Sequence, residues 1–175
     1  MKLDSVKHVG IIGAGMIGDS LAVLTTGHGY QTTLVVRRAE MIPEYKKTYD
    51  AYFRQMIDQG LMPKEQLAIC EKYLTYSTDY SDLADCEVIF ECVPEVIDLK
   101  HEIYARLEAT CPKLKAICSV SSSLVPYVLA EKAGKYNDRI IVTHPFNPAH
   151  MVPFFELCGG GATDGAVLVF AKELL

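Results

Sequence analysis

Two side chains of this sequence could share one proton-transfer task. His144 opens the run His144-Pro-Phe-Asn-Pro148, and Glu156 follows twelve residues after the histidine. Oxidising an alcohol without a metal needs a base that takes the hydroxyl proton as hydride leaves the same carbon. Imidazole suits the task because its unperturbed pKa lies near neutrality. A neighbouring carboxylate can fix the tautomer and stabilise the imidazolium. Glu156 stands within Phe154-Phe-Glu-Leu157, where a carboxylate would be costly to bury unpaired. Ser119-Val-Ser-Ser-Ser-Leu124 adds hydroxyls, and Glu95 with Lys100 adds a carboxylate and an ammonium.

Each feature also has a plainer reading. Taken alone, His144 fits a satisfied structural histidine, and Glu156 could point outward from an edge strand. Ser121 to Ser123 alone would be a polar turn capping the next helix. No G-x-S-x-G surrounds these serines, so a hydrolase elbow is not indicated. His8, His28, His101 and His150 lack the partner spacing of a metal site, and no metal is expected.

What must position these groups starts near the N-terminus. The apolar run Val9 to Ile12 leads into Gly13, Gly15 and Gly18, spaced G-x-G-x-x-G, and a helix-like pattern follows to Gly27 and Gly29. The first glycine permits a tight strand-to-helix turn, the second lets backbone approach a pyrophosphate, and the third lets helix and strand pack closely. The diphosphate would meet the exposed N–H groups and positive dipole end of the new helix. The loop, with Met16 and Ile17, is therefore a candidate dinucleotide cradle.

Thr32 to Val36 reads as the second strand. An acid at its end would bind a ribose 2′-hydroxyl, whereas an arginine accommodates a 2′-phosphate. Here stand Val36-Arg37-Arg38, with Glu40 slightly beyond, so NAD and NADP both stay open, with Arg37 a candidate cofactor contact. Residues 41 to 59 form an amphipathic helix stopped by Gly60, and Pro63 opens a second helix to about Tyr73. The pair is a helical excursion whose tyrosine stripe reads as packing. Further strands are expected at Leu74 to Ser77, Cys86 to Val93, Ala116 to Ser119, Ile140 to Thr143 and Phe154 to Cys158. Helices are expected from Pro94-Glu95 to about Thr110, over Leu124 to Ala133, and over Ala166 to Leu175 after an Asp164 cap. Asp79 to Ala84 reads as a turn or short helix, and Gly159-Gly-Gly161 as a flexible break. Strands alternating with helices call for an α/β fold, a Rossmann-type doubly wound and mostly parallel sheet.

With 175 residues, half of them apolar and 22% charged, the chain fits one folded domain. A formal charge of −5 argues against nucleic acid or an anionic membrane as main partner. No apolar run approaches a membrane span, and Met1 to Lys7 lacks the apolar core of a signal peptide. Six cysteines without a C-x-x-C pair suit a reduced, cytoplasmic protein.

Gly13-Ala-Gly-Met-Ile-Gly18, Ser121-Ser-Ser-Leu124 and His144-Pro-Phe-Asn-Pro148 with Glu156, in this order, resemble the 3-hydroxyacyl-CoA dehydrogenase family. The resemblance implies an oxidoreductase of fatty acid metabolism that passes hydride between NAD(P) and the C3 hydroxyl of an acyl-CoA. It makes His144 the catalytic base, Glu156 its partner, and Ser122 and Asn147 the groups that orient substrate. It places Glu95 and Lys100 at cofactor-contacting positions. It also implies a second, helical domain that dimerises and completes the substrate cleft, so residues 1–175 are expected to be a fragment, the dinucleotide-binding part of a homodimer. Three departures stand out. Val36 replaces the usual acid, and Val120 opens the serine run where Asn is usual. Pro145 is similar to relatives acting on free hydroxy acids such as carnitine or L-gulonate. A non-catalytic dinucleotide-binding module is the rival from another class.

Overall fold

Strand β1 (His8–Ile12) lies in the interior of the sheet, as its nearly continuous apolar run requires. The computed structural model describes residues 5–175, and the first four residues of the polar N-terminus lie outside it. The strands that follow are β2 (Gln31–Val35), β3 (Leu74–Ser77), β4 (Val88–Glu91), β5 (Ala116–Ser119), β6 (Ile140–Pro145) and β7 (Phe155–Gly159). They join in the order β3-β2-β1-β4-β5-β6-β7. Every neighbouring pair is parallel except β6 with β7. The chain winds outward from β1 to β3, returns beside β1 as β4, and winds out the other way. That reversal opens a crevice at the carboxyl ends of β1 and β4, where ligands of such sheets bind.

The helices are α1 (Met16–Gly27), α2 (Ile42–Asp58), α3 (Gln66–Cys70), α4 (Ile97–Thr110), α5 (Pro126–Ala130) and α6 (Gly165–Leu174). Strand side chains alternate between two cores, because successive Cβ atoms point to opposite faces. Ile11, Leu34, Phe90, Cys118 and Ile141 meet α1, α2 and α6 on one face. Ile12, Val35, Ile89, Ile117 and Val142 meet α4 and α5 on the other. The tyrosine stripe of α2 packs as its spacing suggests, with Tyr49 and Phe53 buried and the Tyr49 hydroxyl 2.8 Å from Thr26. The cysteines are free thiols, four of them buried.

Several expected elements are shorter than their patterns. The helix expected from Leu124 begins only at Pro126, because Val125 is held extended before the proline ring. It stops at Ala130, and a 3₁₀ stretch over Gly134–Arg139 takes up the remaining chain. The helix expected from Pro63 is confined to α3 and a 3₁₀ turn over Glu71–Tyr73. The glycine run is pinned at its start, contrary to a flexible break. The Gly160 N–H donates to the Thr163 hydroxyl at 2.8 Å, and that hydroxyl donates to the Ile140 carbonyl. Asp164 does cap α6, accepting the Ala166 N–H at 2.8 Å.

Candidate active site

The glycine loop is built by close backbone approach. Gly13 has φ +101° and donates its N–H to Val35 at 2.9 Å, and a Cβ there would strike the Cys92 carbonyl. A Cβ on Gly18 would overlap the Gly13 carbonyl, so these two glycines answer to the fold itself. Gly15 differs. Its φ of +145° excludes a side chain, yet nothing within 4 Å would meet a Cβ. Open space over strained backbone at a helix N-terminus fits a ligand diphosphate. Met16 is exposed beside it, while the Ile17 side chain turns into the core and leaves only its backbone to the loop.

After β4 the chain builds a buried ionic network. The Glu91 side chain is fully buried, and its Oε1 accepts from Lys100 Nζ at 2.6 Å and from the Val93 N–H at 3.0 Å. Its Oε2 accepts from the Tyr104 hydroxyl at 2.9 Å and the Ser119 hydroxyl at 2.7 Å. Lys100 is equally buried and stands 3.6 Å from Glu95. Its Nζ also donates to the Val93 carbonyl at 3.4 Å, and of its two carboxylate partners Glu95 alone is partly exposed. Glu95 then grips the serine loop, accepting from the Ser121 hydroxyl at 3.0 Å and the Ser122 N–H at 2.8 Å. Partial burial works against its ionised form. The donors from Ser121 and Ser122 and the Lys100 charge outweigh that and hold its carboxyl below the ordinary range.

The third part stands where β6 meets β7. His144 and Glu156 are opposite one another in the antiparallel ladder, and Nδ1 lies 2.9 Å from Oε2. A carboxylate only accepts, so Nδ1 carries the hydrogen and Nε2 is left with its lone pair. Glu156 points outward from an edge strand with its side chain 61% exposed, so the cost of unpaired burial does not arise. Register brings the pair together instead. The two residues, with Ser121, Ser122, Val142 and Cys158, line a cleft of about 350 Å³. Phe146 packs edge-on between the His144 and Phe154 rings and extends an exposed apolar shelf from the pair.

Of the other residues singled out in the sequence, Ser122 is exposed in the cleft, and its hydroxyl makes no hydrogen bond among the described residues. Asn147 is exposed three residues past His144 and does not line that cleft. Arg37 is exposed just beyond β2. Sequence reasoning missed Glu91, although the signal used for Glu156, a carboxylate inside an apolar strand, was available there too. It also missed Asp19 and His150. Asp19 lies in the first turn of α1, 2% exposed, with no hydrogen-bond partner for Oδ1 among the described residues. His150 is buried and spans from the Ser20 hydroxyl to the Gln55 side chain, 2.9 Å from each, so it ties the loop after His144 to α1 and α2. Burial lowers its pKa, so the ring stays neutral as an internal strut.

Comparison with known proteins identifies the family and the fold. A family model described as 3-hydroxyacyl-CoA dehydrogenase, NAD binding domain, matches residues 8–175. An L-carnitine dehydrogenase of Streptomyces coelicolor is 29% identical over 97% of this chain and 52% of its own length. A 3-hydroxybutyryl-CoA dehydrogenase of Mycobacterium tuberculosis is 26% identical over 97% of the chain and 59% of its own. The chain thus spans a little over half the length of these two relatives. Among solved structures, the 3-hydroxybutyryl-CoA dehydrogenase of Escherichia coli superposes with a TM-score of 0.90 at 27% identity, covering 97% of this chain and 36% of that one. With its Rossmann-type sheet, its glycine loop and its cross-strand histidine and glutamate, this chain belongs to the 3-hydroxyacyl-CoA dehydrogenase family as an NAD-binding domain.

Proposed function

We propose that this chain carries the cofactor site and the proton-transfer pair of a dehydrogenase that interconverts 3-hydroxyacyl-CoA and 3-ketoacyl-CoA. The contact between His144 and Glu156 at 2.9 Å carries the reading. The nicotinamide, when bound, supplies the hydride acceptor. The backbone of Gly13 to Gly18 holds its diphosphate, and Glu95, fixed by Lys100, shapes the floor between cofactor and substrate. His144 Nε2 takes the hydroxyl proton as the hydride departs, because Nδ1 is committed to Glu156. The Glu156 carboxylate stabilises the imidazolium that forms. The free Ser122 hydroxyl and the Asn147 amide hydrogen-bond the reacting oxygen, Asn147 by a movement of its exposed loop.

One observation favours a second substrate class. Pro145 follows the histidine, and an L-carnitine dehydrogenase stands among the relatives, so a free hydroxy acid is the alternative to the thioester. A non-catalytic dinucleotide module has no need of a base paired to its orienting acid, and the His144–Glu156 contact counts against it.

Acetoacetyl-CoA, carnitine and gulonate, each offered with NAD(H) and NADP(H), separate the substrate classes. His144→Gln and Glu156→Gln then test the pair. Removing a general base costs roughly 10²–10⁴-fold in turnover. A solvent-exposed polar contact of this kind contributes at most about 1 kcal/mol to folding, so Glu156→Gln leaves stability nearly unchanged. Near-normal turnover by His144→Gln sinks the assignment.

A further inference from the structure

Where the chain leaves β2, the charges do not suit a plain ribose. The Gly13 N–H bonds the Val35 carbonyl at 2.9 Å, so the residues after β2 pass directly beside the phosphate loop. Val36, Arg37 and Arg38 therefore stand where the adenosine ribose of a dinucleotide held on that loop would lie. A ribose 2′-hydroxyl is matched there by a carboxylate, and a 2′-phosphate by a guanidinium.

Val36 offers no acceptor. Its N–H continues the ladder to the Ser77 carbonyl at 2.8 Å, and its side chain is 2% exposed in the core beneath α2. Arg37 and Arg38 are both exposed. Arg37 makes no ion pair among the described residues, and Arg38 touches Glu40 across 3.9 Å with both side chains more than half exposed. Such a pair is weak and readily exchanged for a stronger anion. The other acids at this edge are engaged: Asp79 accepts the Ser81 N–H at 2.8 Å, and Asp82 accepts the Ser77 hydroxyl at 2.6 Å. The tip of β2 thus presents two available guanidiniums and one loosely held carboxylate.

We propose that Arg37 and Arg38 form a subsite for a ribose 2′-phosphate, so that the chain takes NADP in preference to NAD. The inference rests on reading the glycine loop as a dinucleotide site. It sets the chain apart from the NAD named in its family's description. The guanidiniums donate to the phosphate oxygens, Arg38 releases Glu40 to do so, and the Glu40 charge opposes the phosphate.

Calorimetric titration of the 175-residue chain with NADPH and NADH in parallel tests this. NADPH is expected to bind roughly tenfold or more tightly, the scale of one charge-assisted hydrogen bond. Arg37→Ala and Arg38→Ala should each weaken NADPH by about tenfold and move NADH by less than about twofold. Glu40→Ala should tighten NADPH alone. Equal binding, or tighter NADH, overturns the subsite and leaves the dinucleotide reading standing. So does equal weakening of both nucleotides by the arginine changes. Binding of neither nucleotide removes the dinucleotide reading and the subsite together.

Discussion

Asp19 holds a carboxyl where the fold gives it little help. Desolvation pushes its pKa up to about 7, against which a backbone N–H of Gly15 works only partly. Burial pushes up the pKa of Tyr76, whose hydroxyl also has no hydrogen-bond partner among the described residues, and the nearby Asp19 adds to the shift. In the unfolded chain an aspartate ionises near pH 4. Between about pH 4 and 7 the folded protein therefore binds a proton that the unfolded chain has lost. Stability contributed by this group is full below that window, falls as pH rises through it, and stays lost above. Asp19→Asn should remove that slope. Urea unfolding should find the variant gaining on the parent by on the order of 2–4 kcal/mol between pH 4.5 and 8. Parallel curves for the two proteins would mean that Asp19 is solvated or paired in solution.

At this scale the sequence was readable where chemistry and spacing coincide. His144, Glu156 and the three glycines could be named because their types match a reaction and a turn, whereas the role of Ser122 came only from the family resemblance. Asp19 could not be named, since a polar residue in the first turn of a helix reads as ordinary dipole compensation. Only the packing of α1 against the sheet reveals that this one is sealed.

Glu91 shows how elements, rather than residues, are joined. It stands at the end of β4 and collects donors from α4 through Lys100 and Tyr104 and from β5 through Ser119. Through Lys100 and Glu95 the same network reaches the serine loop that borders the cleft. Removing one member of a buried pair strands the other charge and costs about 3–5 kcal/mol. For a chain of this size, Glu91→Gln should lower the melting temperature by on the order of 10 °C, measured by calorimetry. A shift under about 2 °C would show that the neighbouring Glu95 suffices for Lys100. The periodicities located every strand and most helices, most directly where burial imposes them, as in β1, β4 and β5. They overran at α5 and α3, where Pro126 forces its neighbour extended and short segments between strands settle into 3₁₀ turns.

For the molecule as a whole, the doubly wound order was foreseeable from strands alternating with helices, since crossovers of that length favour parallel neighbours. The antiparallel join of β6 to β7 was less so. Only the short connection over residues 146 to 154 hints that the chain turns straight back. That join also alters what the twelve-residue interval between His144 and Glu156 means. Their meeting is fixed by the ladder, which pairs His144 with Glu156 and Thr143 with Leu157, and not by the length of chain between them. Inserting two glycines between the exposed Val152 and Pro153 should therefore leave the pair intact, whereas deleting Leu157 should turn the strand's faces over and separate it. The imidazole resonances, followed by NMR through the Nδ1 hydrogen bond, read both outcomes. Interval length in this hairpin is thus free to drift in evolution while strand parity is not.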